Sequence, residues 1–180
     1  MTQWFRYLSV MLMAACAGIA AAHADTKADV TGSIASGSVS GLPIPRFVSL
    51  KADKVNMHIG PAKNYEVKWL YQRAGLPVEI TAEFENWRRI RDSDGTEGWV
   101  YHSLLSGRRT GVVIAKSKEE LVPLYAKPDS KAAIAAHLQP GVLGSVKRCN
   151  ANWCRMIGPG FDGWIPQERL RGVYLNEKVD

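Results

Sequence analysis

The chain has 180 residues, 46% of them hydrophobic and 22% charged, with a formal net charge of +6. That is room for one ordinary domain or two small ones, and the balance excludes a wholly disordered, collagen-like or multi-spanning membrane protein. The positive excess is spread along the chain, far below the charge density that nucleic-acid binding needs.

Residues 1–24 read as a secretory signal. Arg6 is the only charge before Asp25, Leu8 to Ala22 is uncharged, and Ala22-His23-Ala24 offers small residues where a signal peptidase reads. Cleavage is expected after Ala24, placing the mature chain in the periplasm or outside the cell. The apolar stretch is short for a bilayer span. A rival reading is lipidation of Cys16, since Met13-Ala14-Ala15-Cys16 loosely resembles a lipobox. Residues 25–45 are rich in Gly and Ser and close with Pro43 and Pro45. This composition predicts a flexible tail, with order beginning near Arg46.

The remainder repeats itself. Shifted by 66, residues 46–89 fall on 112–155: Val48 meets Ile114, Val55 meets Leu121, Gly75 meets Gly141, and Asn86-Trp87 meets Asn152-Trp153. One residue is then lost, and Gly98-Trp99-Val100 meets Gly163-Trp164-Ile165. Two copies are too few for a solenoid. The period predicts two small domains, 46–110 and 111–180, with almost no linker.

Each copy reads as short strands. Val78 to Phe84 alternates, Asn86 turns, Trp87 to Arg91 returns, Asp92-Ser93-Asp94-Gly95 turns again, and Gly98 to Tyr101 follows. The only helical candidates are the Ala-rich Asp129 to Leu138 and a short turn at His102 to Leu105. Each domain is expected to be about five strands curled into a small barrel. Export leaves Cys149 and Cys154, an even pair in an oxidising compartment, which predicts a disulfide between adjacent antiparallel strands.

Taken in order, Val55-Asn56-Met57-His58-x-Gly60-Pro61, Gly75, Asn86-Trp87-x-Arg89-Ile90, Asp94-Gly95-x-x-Gly98-Trp99-Val100 and Leu105 resemble the bacterial Src-homology-3-like domain. The resemblance covers nearly all of 46–172 as two copies, though the second lacks the Gly-Pro turn. It implies an all-β fold of two tandem SH3-like barrels. It also implies an exported, non-catalytic module that binds peptidoglycan and accompanies cell-wall hydrolases. Where the eukaryotic relatives carry an aromatic that grips proline-rich peptides, this chain has Arg169 or Leu170.

Period-two phase gives the candidate surface. With Ile90 inward, Trp87 and Arg89 face out; with Cys154 and Met156 inward, Trp153 and Arg155 do the same. An indole stacks on sugar rings or peptide planes and a guanidinium forks onto carboxylates. The alternative is that both tryptophans cap the open barrel ends. Tyr65, Trp69 and Tyr71 have the counterparts Lys131, Ala135 and His137 at the same shift. The first copy is therefore expected to hold the richer groove, unless these aromatics bury a domain contact. No G-x-S-x-G, H-E-x-x-H, C-x-x-C or phosphate-cradling glycine loop occurs, so neither a metal nor a cofactor nor catalysis is expected. The function read from the chain is a binding module for cell-wall peptidoglycan or its stem peptides. The alternative is an adaptor that docks an envelope hydrolase, transporter or other periplasmic protein. No nucleic-acid partner is expected.

Overall fold

A computed structural model describes residues 35–150 and 152–180. The expected signal segment 1–24, with Cys16, lies outside the described residues. The described chain is all-β, its only helical pieces being 3-10 turns at His102–Leu104 and Gln167–Arg169.

Two short strands come first, β1 (Ala35–Ser36) and β2 (Pro43–Ile44). The first barrel holds β3 (Arg46–Leu50), β4 (Val55–His58), β5 (Val67–Tyr71), β6 (Pro77–Phe84), β7 (Trp87–Arg91), β8 (Glu97–Tyr101) and β9 (Leu105–Ser106). The second holds β10 (Thr110–Val113), β11 (Val122–Tyr125), β12 (Ile134–Leu138), β13 (Leu143–Asn150), β14 (Trp153–Gly158), β15 (Phe161–Pro166) and β16 (Leu170–Arg171). Strand order is β5-β4-β8-β7-β6-β3-β9 in one sheet and β12-β11-β15-β14-β13-β10-β16 in the other, the same connectivity twice. Seven strands replace the expected five, because the sequence pattern cannot show two-residue strands or the outer pair of each sheet.

Each sheet closes on its own apolar cluster. Val48, Leu50, Val55, Met57, Val78, Ile80, Ile90 and Val100 fill the first. Val113, Val122, Leu124, Val146, Met156, Ile165 and Leu170 fill the second. Gly98 shows why the repeated Gly-Trp pair is needed. A Cβ there would lie 2.6 Å from Met57 Cγ and 2.8 Å from the His58 carbonyl oxygen. At Gly163 it would lie 2.7 Å from the Tyr125 carbonyl oxygen. Each glycine lets one strand cross close over another.

Three expectations are corrected. Asp129–Leu138 is not helical: Ile134–Leu138 pairs antiparallel with Val122–Tyr125, so a tertiary ladder overrides alanine propensity. The constant shift of 66 fails upstream of Gly75. Gly75 donates to the Leu50 carbonyl as Gly141 does to Val113, and Val55 pairs with Tyr71 as Val122 does with Leu138. Val113 is thus the counterpart of Leu50, and Val122 that of Val55. The loop 114–121 is longer than 51–54, and a fixed shift cannot absorb the insertion. Finally, residues 35–44, expected within the flexible tail, form a hairpin held by Glu83.

Glu83 accepts the N–H groups of Val39 and Ser40 at 3.1 and 2.8 Å and the Ser40 hydroxyl at 2.6 Å, and it pairs with Arg46 at 2.8 Å. Burial works against its ionisation. The hydrogen bonds from Ser40, Arg46 and Val39 outweigh burial and lower its pKa from 4.5 to about 2. A carboxyl depressed on folding stabilises above its unfolded pKa and loses that contribution as pH falls toward the folded value. The hairpin should therefore loosen between about pH 4.5 and 2. Protection of the amides at residues 37–44, relative to their intrinsic exchange rates, should fall in that window in the native protein and stay flat in Glu83→Gln.

The disulfide is present. Cys149 and Cys154 are cross-strand partners on β13 and β14, with Cα atoms 4.1 Å apart and both sulfurs inside the second core. Closing so short a loop is worth about 2 kcal/mol in the chain-entropy picture. Reduction should lower the melting temperature by about 5 °C. An unchanged melting curve after verified reduction would contradict this.

The barrels pack as one compact unit. Thr110 Oγ1 donates to the Gly75 carbonyl at 2.7 Å, and the Tyr174 hydroxyl donates to Glu79 Oε1 at 2.6 Å. The Phe47 and Tyr174 rings stand 4.7 Å apart. Burial first, then the Glu79 contact, pushes the Tyr174 hydroxyl pKa well above the ordinary tyrosine value. The C-terminal stretch closes over the second barrel. Gln167 donates to the Glu177 carbonyl at 2.7 Å, Arg109 forks onto Glu177 at 2.6 and 2.9 Å, and Cys149 pairs with Val179.

Candidate functional site

The first barrel carries an aromatic groove on the outer face of β4, β5, β7 and β8. Strand pairing explains its make-up. Trp87 on β7 stands opposite Tyr101 on β8, and Asn56 on β4 stands opposite Leu70 on β5. His58 packs edge-on against Trp87 at 5.3 Å, and Trp87 packs edge-on against Tyr101 at 5.5 Å. His58 Nδ1 donates to the Tyr65 carbonyl at 2.8 Å, which fixes the imidazole. The groove has a volume of about 640 Å³, and Lys54 and Lys63 stand on its rim. Among the described residues neither lysine is paired with a carboxylate. An apolar floor with free ammonium groups at its edge suits an extended, carboxylate-bearing ligand.

The residues expected to form one surface are not brought together. Trp87 is 7% exposed, so its outward phase holds but its exposure does not. His58 and Tyr101 cover it, and it forms the groove floor rather than a free platform. Arg89 is exposed but already paired with Glu97 at 2.5 Å, and Arg155 forks onto Asp162 at 2.9 and 2.8 Å. Neither guanidinium is open to a ligand carboxylate, because the neighbouring strand supplies one at the diagonal position, two residues from the one directly opposite. Trp153 is half-buried and packs edge-on against Tyr125 at 5.4 Å, repeating the first copy with tyrosine in place of histidine.

Tyr65 is exposed, and Trp69, more than half exposed, stands on the face of β5 away from the groove. Tyr71 is buried, and its hydroxyl donates to Asp92 Oδ2 at 3.0 Å. Burial first, then the Asp92 charge, raises its pKa well above the ordinary tyrosine value. By register, Ala136 and Leu138 are the counterparts of Trp69 and Tyr71, displacing Ala135 and His137. The first copy remains the more aromatic. Sequence reading missed Tyr101, Leu70, Lys54 and Lys63. Tyr101 was reachable: once Trp87 is placed outward on a hairpin, the residue opposite it must share that face.

Among the curated proteins no sequence matches the chain. Three solved structures are similar over part of their length. NlpC2 from Trichomonas vaginalis is 13% identical with a TM-score of 0.32, over 71% of this chain and 48% of that one. NlpC1 from Trichomonas vaginalis is 14% identical with a TM-score of 0.31, over 77% and 50%. An NlpC/P60 family protein from Bacillus cereus is 9% identical with a TM-score of 0.32, over 69% and 55%. The chain thus spans about half the length of these proteins. The model of the bacterial SH3 domain matches residues 51–107 and again residues 118–172, one segment in each barrel and together more than half of the chain. With the same strand order found twice and the same glycine crossing in both copies, the chain belongs to the bacterial SH3 domain family.

Proposed function

We propose that this chain is an exported, non-catalytic module that holds cell-wall peptidoglycan, or its stem peptides, in the groove of the first barrel. The observation that carries the reading is the His58–Trp87–Tyr101 stack rimmed by Lys54 and Lys63. Stem peptides offer an extended backbone and carboxylates; the stacked rings take the first and the lysines attract the second. The second barrel supports this division of labour. Its stack has two rings, Tyr125 and Trp153, with Pro166 opposite the tryptophan where the first copy has Tyr101. A disulfide and the docked C-terminal stretch brace it. The described acids with the most contacts serve structure: Glu79 is held by Arg91 and Tyr174, and Glu83 by Ser40 and Arg46. The export in this reading rests on the signal-like segment that ends Ala22-His23-Ala24.

Co-sedimentation with purified insoluble peptidoglycan tests the reading. Tyr101→Ala should weaken binding about thirtyfold, the loss expected of an aromatic hot spot. The double change Lys54→Glu, Lys63→Glu should abolish binding at low salt with an unchanged melting curve. Wild-type binding should fall as salt rises. Equal sedimentation of all three folded proteins would refute the assignment of the groove.

A further inference from the structure

Strand β5 is the outermost strand of the first sheet: β4 pairs with one side, and no described residue pairs with the other. An edge strand presents a row of unpaired N–H and C=O groups, which proteins ordinarily blunt with proline, bulges or a covering segment. Here four of the five residues are exposed. Of the eleven exposed large hydrophobics among the described residues, five sit in this one hairpin: Ile59, Tyr65, Val67, Trp69 and Leu70. So strong a concentration marks an interaction surface rather than scattered exposure.

The two faces of this edge differ in chemistry. Lys68 and Leu70 lie on the outer face. Lys68 Nζ reaches the Glu97 carbonyl at 3.0 Å, and Leu70 borders the groove rimmed by Lys54 and Lys63. Trp69 lies on the opposite face, at the mouth of a cleft of about 550 Å³ between the two barrels. Across that cleft stand Val112, Ile114 and Pro140 of the second barrel. One side of the edge is basic and the other mainly apolar, with Asp92, Asp94 and Arg171 also lining the cleft.

We infer that the free edge of β5 accepts an extended strand of an acidic partner protein, with carboxylates on the basic face and apolar side chains against Trp69 in the cleft. Successive residues of an added strand point to opposite faces, so its alternation would match the two surfaces in turn. Main-chain hydrogen bonds would supply affinity and the two faces would supply specificity. A second copy of this chain is the poorer occupant. Antiparallel pairing of β5 with itself would set two copies of Lys68 on one already basic face, and like charges across a ladder repel.

The test uses the full chain and two acetylated octapeptides of identical composition. One alternates Glu and Val; the other places four Glu before four Val. The alternating peptide should bind at least tenfold more tightly, should weaken as salt rises, and should slow amide exchange at residues 67–70. Trp69→Lys should lose at least tenfold in affinity for it while sedimenting normally with peptidoglycan, so the failure of this inference and of the groove reading can be told apart. Equal binding of the two peptides would overturn the inference, as would binding that ignores Trp69→Lys or leaves residues 67–70 unprotected. Protection of those amides in a concentration-dependent dimer without peptide would give the edge to a second copy and overturn it equally.

Discussion

Trp87→Ala is expected to destabilise the protein by about 3 kcal/mol, the usual cost of removing a buried large aromatic. For a chain of this size that lowers the melting temperature by about 6–12 °C. Trp87 is almost wholly enclosed, and two edge-on aromatic contacts, with His58 and Tyr101, are lost with it. Each such contact contributes about 0.5–1.5 kcal/mol beyond simple burial. The loss also removes the groove floor, so binding should fall together with stability. Trp87→Phe keeps a ring between His58 and Tyr101 and should recover most of both. Arg89→Lys provides the contrast. Its partner Glu97 is partly exposed, and a surface ion pair contributes about 0.2–1 kcal/mol, so the melting curve should barely move. A Trp87→Ala protein that melts normally would show that the indole is not structural.

Gly172→Val should cost about 4 kcal/mol through two effects that act together. Gly172 has φ of 109°, a conformation that a β-branched residue adopts only under strain of about 1–3 kcal/mol. A Cβ there would also press on the Thr110 carbonyl oxygen and come within 2.9 Å of Pro77 Cβ. Overpacking of that kind adds about 1–3 kcal/mol. The strain falls where the barrels meet, because Pro77 belongs to the first and Gly172 to the second. The variant should therefore open the joint. Protection of the Thr110 and Gly75 region from hydrogen exchange should drop more than protection of either core. Gly107→Ala is the control: nothing lies within 4 Å of its added methyl, so stability should stay within about 0.5 kcal/mol. Equal melting of the Gly172→Val and Gly107→Ala proteins would refute the close fit.

Much of this architecture is legible in the residues because it depends on local rules. Turns at Asn86 and at Asp94-Gly95, period-two alternation and a doubled motif are properties of adjacent residues, and they suffice for two all-β barrels. The pairing of Cys149 with Cys154 is legible for the same reason, since a short hairpin leaves the two thiols few other partners. The Asp129–Leu138 segment departs from its helical pattern because alanine content carries a helical preference of only tenths of a kcal/mol per residue, less than one ladder with Val122–Tyr125 supplies. The upstream counterparts depart from the constant shift because loop length is invisible to it.

The candidate site divides along the same line. Phase along one strand correctly puts Trp87 and Arg89 on the face opposite Ile90, because side-chain alternation is local. Whether that face is open depends on what neighbouring strands bring to it. His58 and Tyr101 cover the indole, and Glu97 and Asp162 occupy the guanidiniums; Tyr101 stands directly opposite Trp87, Glu97 and Asp162 stand diagonal to their arginines, and His58 comes from β4 beyond the neighbouring strand, so all four arrive only through strand pairing. The lysine rim, the free edge at β5 and the cleft beside Trp69 likewise arise from segments distant in the chain. Composition and periodicity thus establish the exported, duplicated barrel as an expectation. Which aromatics and charges remain free to meet a ligand is decided by tertiary pairing, because accessibility belongs to a surface and not to a residue.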